Sequence, residues 1–368
     1  MTTRRGFIKS TVSSGIMFCT CGLLDAAHAQ QALATRHSPV RVGGKRVRTI
    51  DTHAHCYFHE SLALMGPDAN NVVPQTKGVP EMFIPVDDQA AVTARLAAMD
   101  AMGIDMEVLS INPFWYKKDR DTASAIVKLH NQKFADLHAA YPQRFAAFAS
   151  LSLQYPDLAV QELQTAMQKQ GLRGAAIGSS VNGEDFSNPK FYPVWAKAEE
   201  LGAVLFIHPQ SQPELKTRYQ GNGWLSNTVG NPLDTTIALE HMIFEGTLDK
   251  FPGLKILAAH GGGYLGSYAA RSDYTCFVSP QNCNAQIVLK KKPSEYLRDI
   301  YVDAMVFTPE ALKFLISQVG ANRVVLGTDY PIPWELHPVD QIFATPLTDA
   351  ERRAILGGNA TVLLNLAT

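Results

Sequence analysis

From residue 48 onward, short apolar runs alternate with longer stretches in which apolar residues recur every three or four positions. The short runs predict β-strands and the longer stretches predict amphipathic helices, because the two periodicities match the geometry of those elements. Eight strands are predicted in this way, at residues 48–53, 106–112, 145–153, 172–178, 203–208, 255–260, 300–306 and 323–329.

Helical patterns lie between these strands, at residues 87–102, 121–140, 156–170, 192–201, 232–250, 263–273 and 309–319, and a final pair follows at 349–356 and 359–366. Gly103, Gly171, Gly202 and Gly320 each follow a helical run, where a left-handed C-terminal cap is expected. Thr308 and the proline after it predict the start of a helix.

Most of the strand segments are continuously apolar, as in "AVLFIH", "KILAAH" and "RVVLGTD". Continuous apolar runs are typical of parallel strands that are buried on both faces. Eight such strands, each followed by a helix, predict an α/β fold of the (β/α)8 TIM-barrel type. A doubly wound sheet is the alternative, but no glycine-rich phosphate turn follows the first strand. Residues 57–86 and 209–231 are expected to be insertions at the C-terminal mouth of the barrel.

Polar residues end several of the predicted strands. His53 and His55 end the first strand, His208 the fifth, His260 the sixth and Asp329 the eighth. In a barrel these ends share one rim, and residues two apart on a strand point to the same side. Three imidazoles and one carboxylate suit Zn²⁺ or a similar divalent ion with one open position. His53, His55, His208 and Asp329 are therefore the predicted metal ligands, and His260 is the predicted general acid/base.

Three further side chains are candidate substrate contacts. Arg271 could bind a substrate carboxylate at the mouth, or form an ion pair with Asp273. Trp115 and Trp224 could supply apolar walls for the substrate, although large aromatic residues are as often part of the core or of a lid.

The N-terminal segment differs from the rest of the chain. Arg4 and Arg5 precede a moderately apolar stretch at 12–24 and an Ala-His-Ala site at 27–29. This pattern predicts a twin-arginine signal peptide over residues 1–29 and a periplasmic protein, followed by a linker at 30–47 and the barrel at 48–368. Once the signal is removed no membrane association is expected. The net charge of −1 gives no basic surface for nucleic acid.

Three cysteines remain after the predicted cleavage. Cys276 and Cys283 could form a disulfide in an oxidising compartment, but their spacing alone does not decide this. Cys56 is expected to be a small buried residue.

Several motifs, among them "IDTHAH", "GLRGAAIGSS", "KILAAHGGGYL" and "VVLGTDYP", resemble the amidohydrolase superfamily. More narrowly, the chain resembles the branch that contains aminocarboxymuconate semialdehyde decarboxylase and related aromatic-acid decarboxylases. The resemblance implies a homodimeric barrel that binds one divalent metal ion, usually Zn²⁺, with Mn²⁺ as the alternative. It places His53, His55, His208 and Asp329 on the metal ligands and gives His260 and Asp329 catalytic roles.

The resemblance also implies a reaction, the nonoxidative decarboxylation of an unsaturated or aromatic carboxylic acid. The same ligands would serve the alternative, hydrolysis of an ester, lactone or amide by metal-bound hydroxide. A third possibility is a metal-free periplasmic binding protein. In each case the expected partner is a small-molecule ligand, a carboxylate in the first.

Overall fold

The computed structural model describes residues 39–69, 86, 88–210, 213–332, 334 and 337–367. The predicted signal peptide and residues 70–85 of the first predicted insertion lie outside the described residues.

All eight predicted strands are present. They are β1 (Ile50–His55), β2 (Met106–Ser110), β3 (Phe145–Ala147), β4 (Gly174–Ile177), β5 (Val204–Ile207), β6 (Lys255–Ala258), β7 (Tyr301–Asp303) and β8 (Val324–Val325). Strands β1–β3 form one parallel sheet and β4–β8 another, each with its strands in chain order. Most strands are shorter than predicted, so the polar residues at several of their ends lie in loops.

Backbone hydrogen bonds join the two sheets at both edges. Between β3 and β4, Ala149 N donates to Gly174 O at 2.8 Å. Between β1 and the segment after β8, His55 N donates to Tyr330 O at 2.7 Å. The eight parallel strands therefore form a closed ring, which confirms the predicted (β/α)8 barrel.

Helices surround this ring. They are α1 (His59–Met65), α2 (Gln89–Met102), α3 (Arg120–Ala140), α4 (Pro156–Lys169), α5 (Tyr192–Leu201), α6 (Asn231–Phe244), α7 (Thr247–Lys250), α8 (Leu265–Val278), α9 (Pro309–Val319), α10 (Pro338–Ala344), α11 (Asp349–Arg353) and α12 (Asn359–Leu363). Wide π-helical turns, Ser226–Gly230 and Ala354–Gly358, lead into α6 and α12. None of the helices in the described part of the chain has the length and apolar content that a membrane crossing requires.

The helix boundaries agree with most of the sequence signals. Thr308 caps α9 by accepting a hydrogen bond from Ala311 N, and Gly103 and Gly202 end their helices in the left-handed conformation. Gly320 differs, because its ψ of 144° places it outside the left-handed helical region. The predicted helix 232–250 is divided into α6 and α7 at Gly246, whose φ is 69°.

The predicted linker extends too far toward the C-terminus. Arg41–Val42 and Lys45–Arg46 pair as an antiparallel hairpin. Val40, Val42 and Val47 are buried and join the core that lies between the strands and helices. The folded domain therefore begins at about residue 39, before the predicted boundary at residue 48.

The strands are buried on both faces, as their continuous apolar runs predicted. On β5, Val204 and Phe206 point into the barrel interior, whereas Leu205 and Ile207 pack toward the helices. Phe206 stacks on Phe148 with ring centroids 5.4 Å apart, and its other neighbours include His53 at 5.0 Å. Aromatic side chains inside the barrel therefore pack against the ring of His53, a predicted metal ligand.

Two cysteine predictions have an outcome in the structure. Cys276 at the end of α8 forms a disulfide with Cys283, with a Cα–Cα distance of 5.7 Å. Cys56 is buried, as expected.

His130 on α3 should make the stability of the fold sensitive to pH. It is fully buried with Nδ1 3.0 Å from Ser150 Oγ, and burial lowers its pKa from 6.5 to about 3. Below about pH 6.5 the unfolded chain binds a proton that the folded chain excludes, so the free energy of unfolding should fall by ~1.4 kcal/mol per pH unit. Above that pH this contribution is absent.

The variant His130→Phe retains a ring and removes the titration. Between about pH 7.5 and about pH 5.5, its free energy of unfolding should fall by ~1.4 kcal/mol less than that of the wild type. Urea unfolding at both pH values measures the difference. Equal losses in the two proteins would contradict the assignment.

Candidate metal centre and active site

The structure brings the four predicted metal ligands together at the C-terminal rim of the barrel. His53 and His55 lie on β1, His208 directly follows β5, and Asp329 lies in the loop after β8. All four are buried, and one potential ligand atom from each lies within 4.8 Å of the others. Residues up to 276 positions apart in the sequence therefore form one cluster.

The distances within the cluster fit a shared ion. Asp329 Oδ1 lies 3.2 Å from His53 Nε2 and 3.0 Å from His55 Nε2, and these two nitrogens are 3.1 Å apart. Atoms that bind one ion tetrahedrally at 2.0–2.2 Å lie roughly 3.3 Å from each other. The three atoms therefore have about the spacing of ligands on one small divalent cation.

Each of the three imidazoles uses its Nδ1 atom for a bond away from the centre. The partners are Asp303 Oδ2 for His53 at 2.7 Å, Ser110 Oγ for His55 at 3.1 Å and Pro209 O for His208 at 2.9 Å. Such outer partners fix the tautomer and leave Nε2 as the ligand atom. His208 Nε2 is buried and has no hydrogen-bond partner in the described part of the chain. A metal ion would satisfy it, so the residues present fit a divalent metal.

The carboxylate of Asp303, at the end of β7, accepts hydrogen bonds from several sides. In addition to His53 Nδ1, it accepts from the backbone N of His260 at 2.9 Å, of Gly261 at 2.9 Å and of Met305 at 3.1 Å. Burial raises its pKa, but the hydrogen bond and charge of His53 outweigh burial and keep the pKa below its usual value. Sequence reasoning missed Asp303, because it lies in the middle of the predicted strand 300–306, whereas the observed strand β7 ends at this residue.

His260 follows β6 after one residue and lies beside the cluster. Its Nε2 is 3.7 Å from Asp329 Oδ2, and its ring centroid is 5.1 Å from that of His53. Its φ of 55° is a left-handed conformation, which costs a non-glycine residue roughly 1–2 kcal/mol. The hydrogen bond from His260 N to Asp303 holds this conformation. The predicted acid/base residue therefore faces a predicted ligand from outside the cluster.

A second buried carboxylate fixes the loop that carries Asp329. Asp51 on β1 accepts hydrogen bonds from Thr328 N at 3.1 Å and Thr328 Oγ1 at 2.5 Å. Asp329 N donates to His53 O at 2.7 Å, and Asp329 has a φ of 60°. The contacts between the first and last strand units thus set the position of the Asp329 carboxylate, and Asp51 was not singled out from the sequence.

Charge is distributed unevenly in the centre. Burial opposes protonation of His53, but the carboxylates of Asp329 and Asp303 outweigh it and raise its pKa to about 10. Burial lowers the pKa of His55 and, further, that of His208. Asp329 has a pKa well below its usual value, since His53 and the other histidines outweigh its burial. The lowered pKa values of His55 and His208 keep these imidazoles neutral, as metal binding requires. On His53, a metal ion would take the place of the proton on Nε2.

Aromatic side chains lie beside this centre. Trp334 Nε1 donates a hydrogen bond to Asp329 Oδ2 at 2.8 Å. Trp224 stacks on Trp334 with centroids 5.7 Å apart, and Phe307 tilts against the same indole at 6.0 Å. The predicted wall residue Trp224 therefore lies near the metal centre, because it stacks on Trp334, which in turn contacts Asp329. Sequence reasoning missed Trp334.

A cavity of about 1150 Å³ adjoins this wall. Its lining includes Trp224, Tyr116 and Gln210, and much of it comes from the predicted insertion at 209–231. None of the four metal ligands lines it, but Gln210 lies two residues after His208. The described part of this insertion therefore lines a cavity beside Trp224.

The other two predicted substrate contacts lie elsewhere. Trp115 is fully buried, and its N–H donates to Leu151 O at 2.9 Å, so its predicted role as a substrate wall is wrong. Arg271 is exposed on α8. Asp273 accepts hydrogen bonds from Ser294, and within the described residues it has no ion pair with Arg271. The contact of Arg271 with substrate stays a prediction.

Replacement of Asp303 by Asn should weaken metal binding. Each oxygen of Asp303 accepts two hydrogen bonds, and an amide would replace one of these oxygens by an N–H₂ donor, which would disturb the bond that orients His53. Loss of an outer partner of this kind raises the metal dissociation constant about 10- to 100-fold. Competition with a chromogenic chelator would measure this change.

Asp299→Asn is the matched control, because Asp299 precedes β7 and pairs with Lys291 at the surface. It should bind metal as the wild type does. Unchanged affinity in a folded Asp303→Asn protein would show that Asp303 does not support the centre.

Comparison with known proteins shows the family. The sequence profile described as Amidohydrolase matches residues 50–366. The chain is 34% identical over 276 residues to 2-amino-3-carboxymuconate-6-semialdehyde decarboxylase from Dictyostelium discoideum. The aligned region covers 74% of this chain and 76% of the relative. It is 30% identical over 290 residues to gamma-resorcylate decarboxylase from Rhizobium radiobacter, which covers 74% and 86% of the two chains.

Solved structures show the same relationship. The structure of 5-carboxyvanillate decarboxylase from Sphingomonas paucimobilis matches with a TM-score of 0.79 at 26% identity and covers 87% of this chain and 100% of that one. Dihydroxybenzoic acid decarboxylase from Polaromonas sp., solved with manganese and 2-nitroresorcinol, matches with a TM-score of 0.76 at 27% identity and covers 87% and 97%. The profile match over nearly the whole barrel and these relatives show that the chain belongs to the amidohydrolase family.

Proposed function

We propose that this enzyme is a metal-dependent, nonoxidative decarboxylase of an aromatic or unsaturated carboxylic acid. The observation that carries the proposal is the position of His260, whose Nε2 faces Asp329 Oδ2 at 3.7 Å beside a cluster of three histidines and one aspartate. The relatives described above are decarboxylases, which favours this reaction over the hydrolysis of an ester, lactone or amide.

The residues around the centre fit the proton requirement of this reaction. Loss of CO₂ breaks the bond between the carboxyl group and the substrate carbon that bears it. One proton must then take the place of the carboxyl group on that carbon. His260 is the imidazole placed to deliver the proton, because its Nε2 faces the centre and imidazole is the commonest general acid in enzymes. Asp329 Oδ2, at 3.7 Å from this nitrogen, is the carboxylate oxygen that faces the imidazole, and we assign it a part in orienting the ring.

The metal would be held by His53, His55, His208 and Asp329. When bound, a divalent ion supplies a Lewis acid for an oxygen of the substrate. We propose Zn²⁺, because imidazole nitrogen and carboxylate oxygen are both ligands that Zn²⁺ binds readily in proteins. The manganese in the related Polaromonas enzyme makes Mn²⁺ the alternative. Metal analysis of protein purified without added metal would distinguish the two ions.

The substrate class follows from the side chains at the mouth. Trp224, Trp334 and Phe307 present aromatic surface next to Asp329, and a flat ring gains most from such surface by stacking. The adjoining cavity of about 1150 Å³ is larger than one ring requires, so the acid can carry further substituents.

Replacement of His260 by Asn should abolish turnover and leave the metal in place. The loss of a positioned general acid typically lowers kcat about 100- to 10,000-fold. The measurement is CO₂ release from a panel of aromatic and dienoic acids by wild type and variant, with metal content determined for both.

Turnover by a metal-loaded His260→Asn protein at the wild-type rate would remove His260 from the mechanism. A wild-type protein that releases no CO₂ from any acid, and instead liberates acid from esters or lactones, would move the assignment to a hydrolase.

We also propose that the protein works in the periplasm. The twin arginines Arg4 and Arg5 support this location, and so does the Cys276–Cys283 disulfide, because disulfides persist in oxidising compartments. Cell fractionation of a strain that makes the double variant Arg4→Lys, Arg5→Lys should find the protein in the cytoplasm with residues 1–29 attached. Export of this variant at the wild-type level would contradict the twin-arginine assignment.

A further inference from the structure

We propose that Trp334 is a positioning residue that couples the aromatic wall of the mouth to the metal-ligand carboxylate of Asp329. The indole N–H donates to Asp329 Oδ2 at 2.8 Å, while the indole ring is stacked on Trp224. The substrate part of this inference rests on the proposed function, whereas its metal part does not.

The two oxygens of Asp329 face different groups. Oδ1 lies 3.2 Å from His53 Nε2 and 3.0 Å from His55 Nε2, so it is the oxygen on the metal side. Oδ2 is directed toward the Trp334 N–H at 2.8 Å and His260 Nε2 at 3.7 Å. The hydrogen bond from Trp334 therefore fixes which oxygen is offered to a metal and which to His260.

Indole is well suited to this role. The indole ring donates a hydrogen bond through its N–H and has no acceptor atom, and it does not titrate in the working pH range. It can therefore act on Oδ2 only as a hydrogen-bond donor. One lone pair of Oδ2 is occupied by Trp334, and the other remains for the imidazole.

The Trp334 ring packs against two other aromatic side chains. Trp224 lies nearly parallel to it, with 15° between the ring planes, and Phe307 tilts against it at 53°. A planar substrate that stacks against this wall would contact the ring system whose N–H orients Asp329. Trp334 would thus contact a stacked substrate and also orient the carboxylate of Asp329.

Backbone conformation in this region is an independent observation. Six non-glycine residues in the described part of the chain have positive φ, and four of them surround this centre: Trp224, His260, Phe307 and Asp329. Unfavourable backbone conformations of this kind persist where the surroundings hold them, and they are concentrated at functional sites. Trp334 contacts three of these four residues directly.

The test compares Trp334→Phe with Trp224→Phe. The first variant removes the N–H and keeps an aromatic ring, and the second makes the same change in the stacking partner. Trp334→Phe should raise the metal dissociation constant about tenfold and lower kcat, with little change in KM. Trp224→Phe should leave metal affinity at the wild-type value and raise KM for the aromatic acid.

Chelator competition measures metal affinity without substrate, so this part can be decided even if no acid is decarboxylated. Wild-type metal affinity in a folded Trp334→Phe protein would overturn the proposal. Equal loss of metal affinity in both variants would also overturn it, because a general packing effect would then explain the change.

A measurement on the wild type avoids any folding defect of the variants. The chain contains four tryptophans, so ¹⁵N-labelled indole gives few N–H signals. The Trp334 signal is the one that Trp334→Phe, or Trp334→Leu if the first variant does not fold, removes. It should shift when Zn²⁺ is added, because the ion withdraws charge from Asp329. A Trp334 signal that stays unchanged at saturating Zn²⁺ would overturn the proposal.

Discussion

The centre depends on one hydrogen bond across the barrel, between His53 Nδ1 on β1 and Asp303 Oδ2 on β7. The two residues are 250 positions apart in the sequence and both are fully buried. The same carboxylate binds the backbone N of His260 and of Gly261. One buried acceptor thereby orients a predicted metal ligand and holds the left-handed backbone of His260, the proposed acid/base residue. Because a buried carboxylate without its donors is costly, these groups are held in place together.

The rim of the barrel is organised around a second carboxylate, Asp329, whose two oxygens serve different neighbours. Oδ1 faces the ligand nitrogens of β1, and Oδ2 faces His260 and the Trp334 indole. The loop that carries Asp329 is tied to β1 through Asp51 and Thr328. Closure of the barrel between its first and last strands is therefore also what completes the metal centre. This explains why a site of four ligands can be assembled from strand ends that lie far apart in the chain.

Much of the fold could be predicted because each strand–helix unit carries its own local signals. The apolar runs identified all eight strands, and Thr308 and Gly202 marked helix ends through backbone requirements that depend on a few neighbouring residues. The errors occurred where packing decides. The hairpin at 41–46 contains too few residues to show a pattern, although Val42 is buried. Trp115 comes shortly after β2 in the chain, yet it is buried and packs against His130 with centroids 5.3 Å apart.

The sequence by itself determined the barrel and the ligands His53, His55, His208 and Asp329, because the end of a parallel strand always lies on the same rim. Only the tertiary structure decided the roles of Asp303, Asp51 and Trp334. Carboxylates and indoles at strand ends and in loops are common, and their function depends on the donor or acceptor that folding brings to them. It was likewise the fold that brought Cys276 close enough to Cys283 to pair. The pattern of strands along the sequence specifies at which rim of the barrel a side chain lies, and tertiary packing specifies which groups it contacts there.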